Sequence, residues 1–201
     1  IFISFYYGLL VGTKKVFPYD ELVTINSLIK NKSYKPEIVM FGDSITNAAF
    51  FHKLSDDFKI LNKGINGLQS NELLYIIENY DLKVQKAFVM IGINDFLNHK
   101  SSDEVFINYM KIIEVLKRKN MKIYVQSTLY VDKNIHELIN KKVKKLNEKL
   151  QNYSKNENIA FIDLNKYLAA KGYLEDQFTT DGIHLNKKAY EIWYNLIEEF
   201  L

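Results

Sequence analysis

The chain has 201 residues, of which 47% are hydrophobic and 25% are charged, which is typical of one globular domain with a sizeable core. It contains no cysteine, which excludes a disulfide framework, a thiolate metal site and a cysteine nucleophile. The net charge is +3 and Arg118 is the only arginine, so the clustered arginines of nucleic-acid readers are missing and we expect no nucleic-acid partner.

Residues 1–12 form an uncharged apolar segment that ends just before Lys14 and Lys15. As a helix the segment would span about 18 Å, which is less than the ~30 Å hydrocarbon core of a bilayer. Because it lacks the polar face of a surface helix, we interpret it as the end of a membrane anchor, with a buried core segment as the alternative. Residues 13–35 would then be a stalk or an N-terminal helix, and the domain would lie outside the cytoplasm. A buried segment leaves a cytoplasmic location open.

From Pro36 onward, short apolar runs alternate with helical patterns. Most of the runs are rich in β-branched and aromatic residues, as is typical of strands buried on both faces. The predicted strands are Glu37–Phe41, Lys59–Leu61, Ala87–Ile91, Lys122–Gln126 and Ala160–Asp163. Ser101 to Glu104 form a capping box at the start of one helix, and Leu138 belongs to the apolar stripe of another. This alternation predicts an α/β fold for residues 36–201, a three-layer α/β/α sandwich around a five-stranded parallel sheet.

Chemically active side chains cluster in the segments at the ends of the predicted strands and before the last helix. Open parallel sheets place their binding sites at the carboxyl ends of the strands. Five of the eight glycines fall in these segments, where glycine allows a positive φ or a close approach of the backbone. The four segments are Phe41–Thr46, Asn62–Gly67, Gly92–Asp95 and Thr180–Leu185. We therefore expect one site, assembled from all four.

The side chains in these segments fit acyl transfer. Ser44 provides a hydroxyl on a tight strand-to-helix turn, and His184 can accept its proton. Asp181 lies one helical turn before His184 and can orient the imidazole ring. Asn94 offers a side-chain N–H, and Gly67 a backbone N–H, to a developing oxyanion.

The four segments resemble the sequence blocks of the SGNH hydrolases, also called the GDSL esterase/lipase family. The matching blocks, in chain order, are Gly42-Asp43-Ser44, Lys63–Gly67, Gly92-Ile93-Asn94-Asp95 and Asp181–His184. Ile45 stands where the family name has leucine, which is a conservative change. The resemblance runs from about Ile38 to the C-terminus and implies a flavodoxin-like fold.

For the site, the resemblance implies a catalytic triad and an oxyanion hole, with no metal and no cofactor. The implied catalytic residues are Ser44, Asp181 and His184. The implied oxyanion hole is formed by Ser44, Gly67 and Asn94. Asp43 and Asp95 would lie behind these residues and hold their segments in place.

The resemblance also implies a serine esterase that hydrolyses small acyl esters through an acyl-enzyme at Ser44. The segment Gln177–Leu185 is most similar to the carbohydrate O-acetylesterase branches of the family. We therefore expect an O-acetylated carbohydrate as the substrate, and an acetylated envelope glycan if residues 1–12 are an anchor. The sequence leaves the oligomeric state open.

Other functions fit part of the pattern. An O-acyltransferase would use the same triad with a sugar hydroxyl in place of water, and lysophospholipases and thioesterases belong to the same family. A flavodoxin-like binding module would explain the first segment but not Asp181 and His184. A metal-dependent hydrolase would use Asp43, Asp95, Asp181 and His184 as ligands and leave Asn94 without a role. An α/β-hydrolase requires a Gly-x-Ser-x-Gly motif, which the sequence lacks.

Overall fold

A computed structural model of the protein describes residues 36–49, 60–79, 83–135 and 137–201. The segments predicted as an anchor (1–12) and as a stalk or helix (13–35) lie outside the described residues. Within the described ranges, no helix combines the length and the apolar character that a membrane crossing requires.

Five strands form one parallel sheet in the order β2-β1-β3-β4-β5. The strands are β1 (Ile38–Gly42), β2 (Ile60–Gly64), β3 (Lys86–Met90), β4 (Lys122–Gln126) and β5 (Ala160–Ile162). β1 and β3 are buried almost throughout because helices cover both faces of the sheet, which explains why both strands are nearly continuous apolar runs. The five-stranded parallel sheet predicted from the sequence is confirmed.

β2 extends further than the sequence predicts. The prediction ends at Leu61, whereas the strand continues through Asn62 and Lys63 to Gly64. β2 lies at an edge of the sheet, and its residues alternate between half-buried and buried positions. A half-buried edge strand can contain polar side chains such as Asn62 and Lys63. A continuous apolar run, the pattern of a strand buried on both faces, therefore predicts only part of β2.

The helices mostly bury the apolar faces that the sequence predicts. They are α1 (Ser44–Asn47), α2 (Ser70–Asn79), α3 (Ile93–Leu97), α4 (Ser102–Arg118), α5 (Glu137–Asn156), α6 (Asn165–Leu168) and α7 (Lys187–Glu198), with a short 3₁₀ helix at Asp176–Phe178. The predicted capping box forms at the start of α4, between Ser101 and Glu104. The prediction for Leu138 is wrong, because this side chain is 57% exposed and the buried stripe of α5 begins at Ile139, about 100° further around the helix.

The helices form two layers around the sheet. α2 packs against α4, and α4 packs against α5, as expected for right-handed connections that run in one direction along a parallel sheet. α7 covers the other face. There, Nε1 of Trp193 donates to Oε1 of Gln126 in β4 at 2.5 Å, and Phe200 packs on the ring of Tyr124. The result is the predicted α/β/α sandwich.

The strand order reverses between β1 and β3. β1 is followed along the chain by β2 on one side, whereas β3, β4 and β5 extend to the other side. In open α/β sheets such a switch point leaves a crevice at the carboxyl ends of the strands. Ser44 follows β1 and Asn94 follows β3, so the fold places two of the predicted site residues beside this crevice.

Candidate active site

Ser44 is the first residue of α1 and comes directly after the Asp43 cap of that helix. Oδ1 of Asp43 accepts the N–H of Ile45 at 3.0 Å, and the Asp43 carbonyl accepts the N–H of Asn47 at 2.9 Å. The Asp43 side chain is buried beneath this turn. These two hydrogen bonds fix the turn that carries the Ser44 hydroxyl at the end of β1.

α1 packs on two glycines that end the neighbouring strands. A Cβ atom at Gly64 would lie 2.1 Å from the backbone nitrogen of Asn47, and one at Gly42 would lie 2.1 Å from Oγ1 of Thr46. Both distances are far inside van der Waals contact, so only glycine lets the helix come this close. Both glycines lie beyond the predicted ends of their strands, Phe41 and Leu61, but in the structure they are the last residues of β1 and β2.

Asn62 of β2 supports the other end of α1, a role that the sequence pattern does not predict. Its Nδ2 donates to the carbonyls of Thr46 at 2.8 Å and of Ala49 at 3.0 Å, while its Oδ1 accepts the N–H of Gly64 at 2.9 Å. The carbonyls at the C-terminal end of a helix lack an i+4 donor within the helix, and here the amide of Asn62 supplies hydrogen bonds to two carbonyls in that region.

Asp181 and His184 form a local pair. Oδ2 of Asp181 lies 2.7 Å from Nδ1 of His184, and Oδ1 accepts the backbone N–H groups of Ile183 at 3.0 Å and His184 at 2.8 Å. Burial raises the pKa of Asp181, but these hydrogen bonds from His184 and Ile183 outweigh it, so the pKa lies below its usual value. Asp181 is therefore a carboxylate at neutral pH and holds the imidazole in a fixed orientation.

A tight loop holds this pair in place. Gly182 has a φ of +88°, and a Cβ atom there would lie 2.7 Å from Cδ1 of Ile135. The Gly182 carbonyl accepts the N–H of Asp132 at 2.8 Å, and Oγ1 of Thr179 donates to the His184 carbonyl at 2.8 Å. The loop is thus bonded to itself and to the segment between β4 and α5.

The hydroxyl of Ser44 meets this pair across the crevice. Its Oγ lies 2.9 Å from Nε2 of His184, whose other ring nitrogen is bonded to Asp181. The structure therefore brings the three predicted catalytic side chains into one continuous chain of hydrogen bonds. This hydroxyl–imidazole–carboxylate arrangement can transfer a proton from the hydroxyl and stabilise the charge left on the imidazole.

The two further predicted oxyanion donors lie on adjacent segments. Asn94 is in the first turn of α3, which begins after Gly92, and Gly92 has a φ of +128°. Its Nδ2 donates to the carbonyl of Leu68 at 3.1 Å, which fixes the amide. A primary amide has two N–H groups, and this bond uses one of them. Gly67 precedes Leu68, is exposed and has a φ of +73°.

Asp95 is fully buried and fastens α3 to the start of α2. Its Oδ2 accepts the N–H of Ser70 at 2.9 Å, and its Oδ1 accepts the Ser70 hydroxyl at 2.7 Å and Nζ of Lys100 at 3.0 Å. Since α3 carries Asn94, this network sets the position of the amide relative to the segment that contains Gly67.

Comparisons with known proteins identify the family and the fold of the chain. The sequence model of the GDSL-like lipase/acylhydrolase family matches residues 40–192, which is well over half of the chain. The chain belongs to this family. A GDSL-like lipase from Bacteroides thetaiotaomicron superposes with a TM-score of 0.78, at 21% sequence identity and over 91% of this chain and 96% of that one. The GDSL-type fold is thus shown, and the chain is an ester hydrolase of the GDSL-like family.

Two curated relatives of this GDSL-like hydrolase are larger enzymes. The N-acylneuraminate cytidylyltransferase of Escherichia coli is 31% identical, over 82% of this chain and 40% of that enzyme. The enzyme of the same name from Streptococcus agalactiae is 28% identical, over 59% of this chain and 28% of that enzyme. The chain therefore spans less than half the length of the curated relatives it matches.

The residues that a metal-dependent hydrolase would use as ligands have other partners in the structure. Of its four expected ligands, Asp181 binds His184, Asp43 caps α1 and Asp95 binds Ser70 and Lys100. Within the part of the chain that the structure describes, no group of three or more histidine and carboxylate side chains is arranged to hold a metal ion.

Asp43 gives a testable link between the site and stability. Burial raises the pKa of Asp43 from 3.8 to about 7. The folded protein therefore holds this proton where the unfolded chain has lost it, and stability falls by up to about 1.4 kcal/mol per pH unit as the pH rises between these values. Asp43→Asn cannot ionise, yet its Oδ1 can still accept the N–H of Ile45.

We expect Asp43→Asn to melt at a higher temperature than the wild type at about pH 8 and at a similar temperature at about pH 4. Thermal unfolding followed by circular dichroism across this range measures the difference. If the wild type is more stable than Asp43→Asn at high pH, the folded protein stabilises the charged Asp43 carboxylate, and the pKa of Asp43 is not raised by burial.

Proposed function

We propose that the protein is a serine esterase that forms an acyl-enzyme at Ser44. The observation that carries the proposal is the continuous hydrogen-bonded chain from Ser44 through His184 to Asp181. A serine hydroxyl is a weak nucleophile unless a base lies within hydrogen-bond reach, and here the base lies at 2.9 Å. The membership of the GDSL-like family gives independent support.

In the proposed reaction, Nε2 of His184 takes the proton as Oγ of Ser44 attacks the ester carbonyl carbon. The oxyanion that forms accepts hydrogen bonds from the free N–H of Asn94 and the backbone N–H groups of Gly67 and Ser44. His184 then gives its proton to the departing alcohol. A water molecule, deprotonated by the same nitrogen, releases the acid and restores Ser44.

The carboxylate of Asp181 stabilises the imidazolium that forms in each half of this reaction. Burial raises the pKa of this carboxyl, but three hydrogen bonds from its own loop outweigh that effect and keep the pKa below its usual value. Its oxygens accept from Nδ1 of the ring, which leaves Nε2 of neutral His184 as the proton acceptor.

For the substrate, we propose small O-acetyl esters on a carbohydrate. The side chains of His184 and Asp181 are 40% and 52% exposed, so the site is open enough to take an ester on a bulky, hydrated glycan. The resemblance of Gln177–Leu185 to carbohydrate acetylesterases supports the same class. An envelope glycan is the natural choice if residues 1–12 anchor the domain outside the cytoplasm. The names of the curated relatives add O-acetylated N-acylneuraminate to the substrates worth testing.

The test is a panel of esters scored for release of the acid, with trapping of the acyl-enzyme. The panel contains acetylated xylooligosaccharides, O-acetylated N-acylneuraminate, a lysophospholipid and p-nitrophenyl acetate. We expect acetate from at least one carbohydrate ester, and a fluorophosphonate adduct that mass spectrometry maps to Ser44. Release of fatty acid alone would favour a lysophospholipase. Transfer of acetate to an added glycan in preference to water would favour an O-acyltransferase.

A further inference from the structure

The carbonyl groups of α1 depend on partners outside this helix. α1 has only four residues, and it tightens at its end, where the N–H of Ala49 donates to the Thr46 carbonyl at 3.1 Å. In a longer α-helix this N–H would donate to Ile45. Instead, Oη of Tyr190 in α7 donates to the Ile45 carbonyl at 2.8 Å, in a buried position.

Tyr190 itself is held firmly. It lies one turn into α7, which begins after Asn186, whose Oδ1 accepts the N–H of Ala189 at 3.1 Å. The ring of Tyr190 stacks on Trp193 and Tyr194, with centroid distances of 5.9 and 6.2 Å. Trp193 is bonded in turn to Gln126 of β4. The phenol is thus fixed to the sheet through its neighbours in the same helix.

These contacts connect the two halves of the candidate triad. Ser44 begins α1, and His184 lies six residues before Tyr190, in the loop that leads into α7. The hydrogen bond from Tyr190 to Ile45 therefore joins the element that carries the hydroxyl to the element that follows the base. Burial raises the pKa of the Tyr190 phenol, so the group keeps its proton and remains a hydrogen-bond donor.

We propose that Tyr190 is a positioning residue that sets the distance between Ser44 and His184. This inference rests on the proposed serine mechanism. Oγ of Ser44 and Nε2 of His184 lie 2.9 Å apart, which is within the range that proton transfer needs. A shift of about 1 Å in such a pair can cost about 10²-fold in rate, even when it starts far from the reacting atoms. Loss of the Tyr190 hydroxyl removes the hydrogen bond that holds the Ile45 carbonyl of α1 to α7, so α1 and Ser44 can shift relative to His184.

The test is Tyr190→Phe, which removes the hydroxyl and keeps the ring in its stack. The matched control is Ser102→Ala, which also removes a buried hydroxyl that donates to a backbone carbonyl, that of Lys142 at 2.9 Å. Ser102 ties α4 to α5, and neither helix carries a candidate catalytic residue. kcat, KM and the rate of fluorophosphonate labelling at Ser44 are measured at a temperature where every variant is fully folded.

For Tyr190→Phe we expect kcat and the labelling rate to fall about 10-fold or more, with KM within about twofold of the wild type. Ser102→Ala should keep the wild-type kcat. A normal kcat in Tyr190→Phe, or an equal loss in Ser102→Ala, would overturn the positioning role.

Ser44→Ala, assayed alongside, separates the two proposals. An active Ser44→Ala refutes the serine mechanism and this inference with it, whereas an inactive Ser44→Ala beside a normal Tyr190→Phe refutes the inference alone.

Discussion

Ser44→Ala is expected to lower ester hydrolysis by about 10³-fold or more while the melting temperature hardly changes. The proposed mechanism makes Oγ of Ser44 the atom that attacks the ester, and alanine offers no atom in its place. Stability should be nearly unaffected, because the hydroxyl is half-buried and its partner, the His184 ring, is open to solvent. The turn itself is held by Asp43, whose hydrogen bonds to Ile45 and Asn47 do not involve the Ser44 side chain.

The measurement is the steady-state rate on p-nitrophenyl acetate and on the best carbohydrate ester, with thermal melts of both proteins. Ser102→Ala serves again as the control, since it loses a serine hydroxyl without touching the site. A Ser44→Ala protein that keeps a tenth of the wild-type activity would rule out the covalent mechanism. In that case the fluorophosphonate adduct should also map to a residue other than Ser44.

Asn94→Ala is expected to lower kcat by roughly 10²–10³-fold with a smaller effect on KM. The side-chain amide is held by the Leu68 carbonyl at 3.1 Å, so its remaining N–H is directed before the substrate binds. Such a donor strengthens its bond as negative charge develops on the carbonyl oxygen, and its loss therefore affects the transition state more than the bound ester.

The shape-matched variant Asn94→Asp sharpens this experiment. It replaces the amide N–H by a second acceptor oxygen, so we expect a loss of kcat at least as large as in Asn94→Ala. Asn98→Ala is the control on the same segment, because Nδ2 of Asn98 donates to the Asn94 carbonyl from an exposed position. If Asn98→Ala reduces kcat as much as Asn94→Ala does, the effect comes from a disturbed α3 and the oxyanion role is refuted.

The sequence predicts the central strands and the local pair of the site well, because both depend on nearby residues. β1 and β3 are covered on both faces, so each is a continuous apolar run. Asp181 and His184 are three residues apart, and their contact closes within one turn of the chain. In such places the spacing of residues along the chain already determines which groups can meet.

Asn62 and Tyr190 could not be predicted in the same way. Each donates to backbone carbonyls of α1, and Tyr190 is 145 residues away from its partner in the sequence. Every residue has a backbone carbonyl, so the residue type does not show which carbonyl lacks a donor. The Ile45 carbonyl needs a donor from outside α1 because this helix has only four residues, and the sequence does not show where the helix ends. The course of β2 through Asn62 was missed for a related reason, since an edge strand tolerates polar side chains that a buried one excludes.

The separation of the candidate triad along the chain has a consequence for folding. Asp181 and His184 are three residues apart, whereas 140 residues separate Ser44 from His184. The entropic free-energy cost of closing a loop of n residues grows as about (3/2)RT ln n. Closing the contact between Ser44 and His184 therefore costs about 3 kcal/mol more than closing the one between Asp181 and His184. The carboxylate–imidazole pair can thus form in a local turn, while the hydroxyl joins it only after β1 has entered the sheet and α7 has docked. Recovery of esterase activity during refolding should therefore lag behind helix formation and report the arrival of the last helix on the sheet.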